Sequence, residues 1–166
     1  MRILAIDPGS TQSAWVVIDA TTCRPLGFAK EPNEALLDKL WRSSDYDEAA
    51  VEMVASYGMA VGADVFETCV WIGRYIEAIR GGDWEYGEPQ LVTRHPVKLH
   101  HCGSVAAKDS TIRQALVDRF APGERNHGKG TKAEPGWFHG FAADCWQAYA
   151  LAVYLADTLT GQAGAE

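Results

Sequence analysis

The sequence predicts an α/β domain, a mixed five-stranded sheet with helices on both faces. Three observations carry that prediction. Apolar periodicity runs in the order strand, strand, strand, helix, strand, helix, strand and then helices, so a meander must be joined to later strands through helical crossovers. The turns Pro8-Gly9-Ser10-Thr11 and Thr21-Thr22-Cys23-Arg24 make the first three segments antiparallel neighbours. The chain's 166 residues, 47% hydrophobic and 22% charged, amount to one globular domain.

The first strand, Met1 to Asp7, is an apolar run that ends on a carboxylate. A charge at the end of a buried strand calls for a cation, a metal or a donor-rich turn. The plainest reading of Asp7 is as an acceptor for the amides of Gly9 to Thr11. Ser13 to Asp19 and Pro25 to Lys30 alternate as strands, and Pro32 and Asn33 introduce an amphipathic helix over Glu34 to Trp41 that packs Leu36, Leu37, Leu40 and Trp41. Ala49 to Ala55 is a strand again interrupted by an acid, Glu52, and Ser56 to Gly62 is a glycine-bearing loop. Ala63 to Arg80 is a helix whose stripe of Val65, Phe66, Cys69, Val70, Ile72, Gly73 and Ile76 is core or dimer seam, with Trp71 and Tyr75 read the same way. Gln90 to Thr93 is a short strand and Ala107 to Phe120 a helix, while Pro122 to Trp137 is a mobile or ligand-ordered loop. An Ala-rich helix over Gly140 to Leu159 holds Asp144 in its first turns and Trp146, Tyr149, Ala150, Val153 and Tyr154 on its apolar side. Residues 1–160 are expected to form the domain, and 161–166 a flexible tail.

No apolar stretch approaches the roughly 20 residues that span a bilayer, which predicts a cytoplasmic protein with no membrane partner. Cys23, Cys69, Cys102 and Cys145 lie far apart, so a disulfide framework is not expected. His95, His100, His101 and Cys102 match no common zinc spacing. The formal charge of -7 argues against nucleic acid until its distribution is read. Between Arg94 and Lys132 eight Lys/Arg stand against three acids, whereas the rest of the chain holds seven against nineteen. One face can therefore meet phosphates while the bulk remains acidic.

In the predicted topology the first strand is central and the fourth lies beside it, which brings Asp7 and Glu52 to one sheet edge within reach of a carboxylate on the last helix. Three such acids repel one another and hold raised pKa values unless divalent cations lie between them. Oxygen-only donors favour Mg²⁺, with Mn²⁺ as a substitute, over zinc. A pair of such ions suits phosphodiester hydrolysis.

Ile6-Asp7-Pro8-Gly9-Ser10, the strand acid in Val51-Glu52-Met53, the pairs Val97-Lys98 and Ala107-Lys108, and Asp144 at the head of the last helix together resemble the RuvC family of Holliday junction resolvases. The stretches Glu52 to Gly62, Val65 to Gly73 and Lys98 to Gly103 resemble in particular the RuvC-like proteins of bacteriophages and prophages. The resemblance implies an RNase H-like fold, a homodimer, and Mg²⁺-dependent nicking of branched DNA such as a four-way junction. It implies that Asp7, Glu52 and Asp144 are the catalytic, metal-binding acids and that Lys98 and Lys108 contact DNA near the scissile phosphate. Gln147 stands where family members often have a fourth acid, and is expected as a neutral metal ligand. Ala55 replaces a base-stacking aromatic of the family, a part that Tyr57 is placed to take.

Arg113, Arg125, Lys129 and Lys132 join the expected DNA contacts, the last three on the loop that leads to Asp144. His139, five residues before Asp144, is either a proton shuttle or ligand or a packing and capping residue. Two other functional classes share these features. A junction-binding protein with a decayed metal site would show Gln147 as its first symptom, and an actin-like phosphotransferase or ATPase also uses an Asp-x-Gly-Ser turn. The latter chains are far longer and contain a second phosphate turn, which this sequence lacks.

Overall fold

Alternation along the central strand decides what each face of the sheet buries. In the computed structural model, which describes residues 1–42, 45–56, 58, 61–81, 88–142 and 144–163, the strands are β1 (Arg2–Asp7), β2 (Gln12–Asp19), β3 (Pro25–Pro32), β4 (Glu48–Met53) and β5 (Gln90–Thr93). They form one sheet in the order β3-β2-β1-β4-β5. The meander pairs are antiparallel, and β1–β4 and β4–β5 are parallel.

Leu4, Ile6, Ala49 and Val51 face α1 (Asn33–Arg42) and α2 (Ala63–Gly81), where Leu36, Leu40, Ile72, Tyr75 and Ile79 complete one core. Ile3, Ala5, Ala14, Val16, Ala50 and Val92 face the other way, against α3 (Arg94–Cys102), α4 (Asp109–Phe120) and α5 (Cys145–Ala163). α5 is buried on nearly every side from Cys145 to Ala156, and Ala148, Ala150 and Ala152 let it lie close to the sheet. The expected mixed sheet with helices on both faces is present.

Several expectations need correction. α3 was not among the expected elements; Pro96 stands in its first turn, where its missing N–H would have had no intrahelical partner. Gly103, in the left-handed region at φ 66°, ends α3 with an N–H bond to the Leu99 carbonyl of 2.8 Å. The last helix begins at Cys145, so Asp144 precedes it instead of lying within its first turns, and the Asp144 carbonyl accepts from the amides of Gln147 and Ala148. The helix also runs on through Ala163, into the expected tail. Trp41 and the first half of the α2 stripe are not core: Trp41, Phe66 and Val70 are exposed.

Residues 122–137 form a folded excursion instead of a mobile loop. Backbone bonds from Gly136 to the Lys129 carbonyl and from Phe138 to the Gly128 carbonyl draw it back on itself. Phe138 is fully buried against Phe141, Trp146 and Tyr149, and Trp137 stacks on Phe120. Each such ring pair adds about 0.5–1.5 kcal/mol beyond its buried area. At Gly128, with φ 74°, a Cβ would stand 2.6 Å from that of Ala121, so the close approach requires glycine.

Candidate active site

Asp7 ends β1 and is followed by a turn fixed from beneath. Gly9 donates its N–H to Ser13 Oγ (3.2 Å), Ser13 Oγ donates to Asn33 Oδ1 (2.8 Å), and Asn33 Nδ2 donates to the Gly9 carbonyl (2.9 Å). Tyr75 Oη lies 3.0 Å from the same Ser13 hydroxyl. A Cβ on Gly9 would meet the Gln12 carbonyl oxygen at 2.4 Å, so the turn closes only with glycine. The Gly9 amide is thus committed to Ser13 and not to Asp7, against that part of the expected Asp7 turn.

Strand register lines up what the sequence places apart. Ile6 pairs with Val51, so the next residues, Asp7 and Glu52, are neighbours on parallel strands. Asp7 also pairs with Ala14, Ala14 with Lys30, and Glu52 with Val92. Lys30, Ala14, Asp7, Glu52 and Val92 therefore form one row across the sheet, on the α5 side. Asp144, at the head of α5, pairs with Lys30 of that row.

The electrostatics follow from this crowding. Burial first, then the Glu52 charge, with Asp144 and Asp109 adding to it, push the Asp7 carboxyl up to about 8, and Arg94 draws it only part of the way back. Glu52 receives Arg94 Nη1 at both oxygens, at 2.9 and 3.2 Å, and Arg94 Nη2 donates to Asp109 Oδ1 at 2.9 Å. Among the described residues no three acidic, His or Cys side chains converge to hold a metal as they stand. The cause is visible in the pairs: Glu52 is turned to Arg94 and Asp144 to Lys30. The donor set nonetheless fits a divalent ion in its chemistry, since Asp7 is a carboxyl whose ionisation lacks sufficient counter-charge.

A cleft of about 210 Å³ opens beside the row, lined by Asp109, Ser110, Arg113, Asp144, Trp146 and Gln147. A separate cleft of about 350 Å³, walled by Leu4, Trp15, Val17, Leu36, Leu40 and Tyr46, lies on the opposite face of the sheet from the acid row. The fold thus brings Asp7, Glu52 and Asp144 together and puts Gln147 and Arg113 at the rim. Lys98 is one turn along α3 from Arg94, and Lys108 immediately precedes α4. Arg125, Lys129 and Lys132 belong to the excursion, and His139 sets its Nδ1 3.2 Å from the Lys129 carbonyl. Tyr57 lies outside the described residues.

The sequence reading missed Lys30, Arg94 as an acid partner, and Asp109. Register held the signal for two of them: Lys30 stands in the row of Asp7, and Arg94 follows two residues after Val92, the partner of Glu52.

No protein-family model matches the chain, and no curated protein matches its sequence. Solved structures do match. A Thermus thermophilus RuvC structure superposes with a TM-score of 0.63 over 97% of each chain at 18% identity. The chain has the RuvC fold. Thermus thermophilus RuvC in complex with a Holliday junction substrate gives a TM-score of 0.58 at 19% identity, covering 99% of this chain and 96% of the other. The fowlpox virus Holliday junction resolvase gives 0.52 at 12% identity, over 95% and 99%. The RuvC fold is RNase H-like, so the predicted architecture holds across the whole described chain. Among the described residues no helix is long and apolar enough to cross a membrane.

Proposed function

We propose that this chain is a divalent-metal-dependent endonuclease that nicks branched DNA, four-way junctions foremost. One observation carries the reading: two carboxylates, Asp7 and Glu52, stand side by side at the ends of two adjacent interior strands, with Asp144 near enough to add to their charge, where burial and like charge leave Asp7 short of a cation. The match to a RuvC bound to a Holliday junction supports DNA as the substrate class. Asp7, Glu52 and Asp144 would hold Mg²⁺ or Mn²⁺, with Gln147 a neutral donor from the first turn of α5. Such an ion, when bound, supplies Lewis-acid polarisation and charge for the leaving oxygen.

The chain's own part is to position and neutralise. Arg113 lines the cleft and is placed to take a phosphate oxygen, and Lys98, one turn into α3, and Lys108, just before α4, extend the basic surface along the backbone. Arg125, Lys129 and Lys132 hold a second stretch of DNA on the excursion, rigid because Phe138 anchors it. Paired nicks require two sites related by a two-fold axis, and the exposed Phe66, Val70 and Gly73 of α2, beside Leu37 and Trp41, form the face we assign to a homodimer. The blocks around Glu52 and Val65 support the bacteriophage or prophage type.

The test is a labelled four-way junction incubated with Mg²⁺ and either wild type or Asp7→Asn. Nicking by the wild type alone supports the reading. Cleavage by both overturns the site, and binding without cleavage by the wild type supports a non-catalytic junction binder. Linear duplex and flap substrates in the same assay define the selectivity, and ATP hydrolysis without DNA would instead support a phosphotransferase.

A further inference from the structure

Arg94 is the first residue of α3, the helix end where the backbone dipole disfavours a cation. It is kept there by carboxylates. One terminal nitrogen of its guanidinium serves both oxygens of Glu52 and the other serves Asp109. The two partners differ in depth: the Glu52 side chain is 17% exposed and that of Asp109 61%. A planar fork with donors on two sides can release one carboxylate and remain bonded to the other, which an ammonium group does less well.

We propose that Arg94 is the resident counter-cation of Glu52, a positioning residue that a divalent ion displaces and that Asp109 then retains. This rests on the reading of Asp7, Glu52 and Asp144 as the metal-holding acids. Without an ion, the row of acids needs positive charge to remain assembled, and Arg94 provides it at the deeper of its two partners. The same bond makes Arg94 a competitor, because an ion gains Glu52 only as Arg94 lets go. Lys30 stands against Asp144 in the same way, but both members of that pair are 40% exposed and its hold is weaker. Once released, the guanidinium has free donors beside the cleft, where a phosphate of the substrate would lie.

The experiment is a Mn²⁺ titration of the full chain without DNA, with free Mn²⁺ read by electron paramagnetic resonance. Arg94→Gln should bind Mn²⁺ about tenfold more tightly than the wild type. Arg113→Gln removes an equal charge from the neighbouring cleft but no bond to Glu52, and should stay within about threefold of the wild type. Arg94→Lys should lie between wild type and Arg94→Gln. Asp109→Asn should weaken binding more in the wild-type background than in Arg94→Gln, since only in the former does Asp109 also draw Arg94 away from Glu52. Arg94→Gln binding no tighter than wild type, or Arg113→Gln tightening equally, overturns the proposal. Should Arg94→Gln fail to fold by circular dichroism, Arg94→Lys decides: tighter binding supports the exchange, and equal or weaker binding overturns it. Asp7→Asn separates the two readings. Wild-type binding that Asp7→Asn abolishes, with no gain in the Arg94 variants, overturns the exchange alone, whereas no Mn²⁺ binding by wild type or any Arg94 variant overturns the metal site with it.

Discussion

Freed of divalent ions, the wild type is expected to lose stability as pH rises, and Asp7→Asn to escape that loss. The Asp7 carboxyl is raised from 3.8 to about 8, by burial first and by Glu52 second. A raised carboxyl means that the folded state keeps a proton which the unfolded state has released. Between those two values stability therefore falls with pH, and above the upper one the penalty is complete. At about 1.4 kcal/mol per pH unit the interval has a ceiling of about 6 kcal/mol, and water reaching a carboxyl at the strand end reduces it to about 2 kcal/mol. The neutral amide of Asn has the same shape and no such cost. Asp7→Asn should match the wild type near about pH 4 and exceed it by about 2 kcal/mol near about pH 9, some 4–8 °C in Tm for a chain of this size. Thermal melts at both values in chelator, repeated with Mg²⁺, provide the assay. Mg²⁺ should raise the wild-type Tm at alkaline pH and leave the variant unmoved. A variant destabilised equally at both pH values would refute the reasoning, because it would show Asp7 to be a structural hydrogen-bonding group.

Three further outcomes follow from the same structure. Asn33→Ala strips the buried Ser13 hydroxyl and the Gly9 carbonyl of a partner, and should cost about 1–3 kcal/mol in urea denaturation; a loss under about 0.5 kcal/mol would mean that the turn is held otherwise. Burial raises the Asp157 carboxyl, but bonds from Arg119 and His100 outweigh it and hold its pKa below the usual value. Its contribution is present above the unfolded carboxylate pKa and lost as pH falls through the folded one, so Asp157→Asn should flatten the acid limb of the stability curve of the wild type. In fluorescence titrations with a four-way junction, Lys98→Ala and Lys108→Ala should each lower the slope of log affinity against log salt by about 0.9, and an unchanged slope removes that lysine from the interface.

The legible parts of the fold were those governed by period and turn. The β2 and β3 segments alternate cleanly, and the Thr-Thr-Cys-Arg turn announces their pairing, so the meander was readable. α5 was readable because its residues are apolar all round. α3 was not, since helix propensity is weak in Arg-His-Pro-Val-Lys and tertiary contact supplies the rest: Val97 is buried, and His101 Nε2 lies 2.8 Å from the Ala150 carbonyl of α5. The excursion misled for a related reason. Its glycines and lysines have the composition of a mobile loop, while its order comes from Phe138, which is only one residue beyond the stretch that was read.

Asp7 and Glu52 were legible because an acid in a strand conflicts with its surroundings, and a conflict shows in one dimension, whereas Asp144 was singled out only by the family resemblance. The cations that answer them create no such conflict: Lys30 is an ordinary residue of an edge strand, and Arg94 an ordinary residue two before a proline. They become visible only through register. From Asp7 the row runs through Ala14 to Lys30 on one side and through Glu52 to Val92 on the other, with Arg94 two residues beyond. The steps from Asp7 to Lys30 run through the antiparallel meander, while those to Glu52 and Val92 depend on the register of parallel strands joined by helices, which only the folded chain supplies. The acid row is therefore flanked by positive charge on both sides. That arrangement lets three carboxylates share a sheet edge in the absence of a metal, and it is also why none of them is yet turned toward a common point. If the acids hold a divalent ion as proposed, assembly without it and binding of it would pull the same side chains in different directions, with Arg94 and Lys30 where the two demands meet.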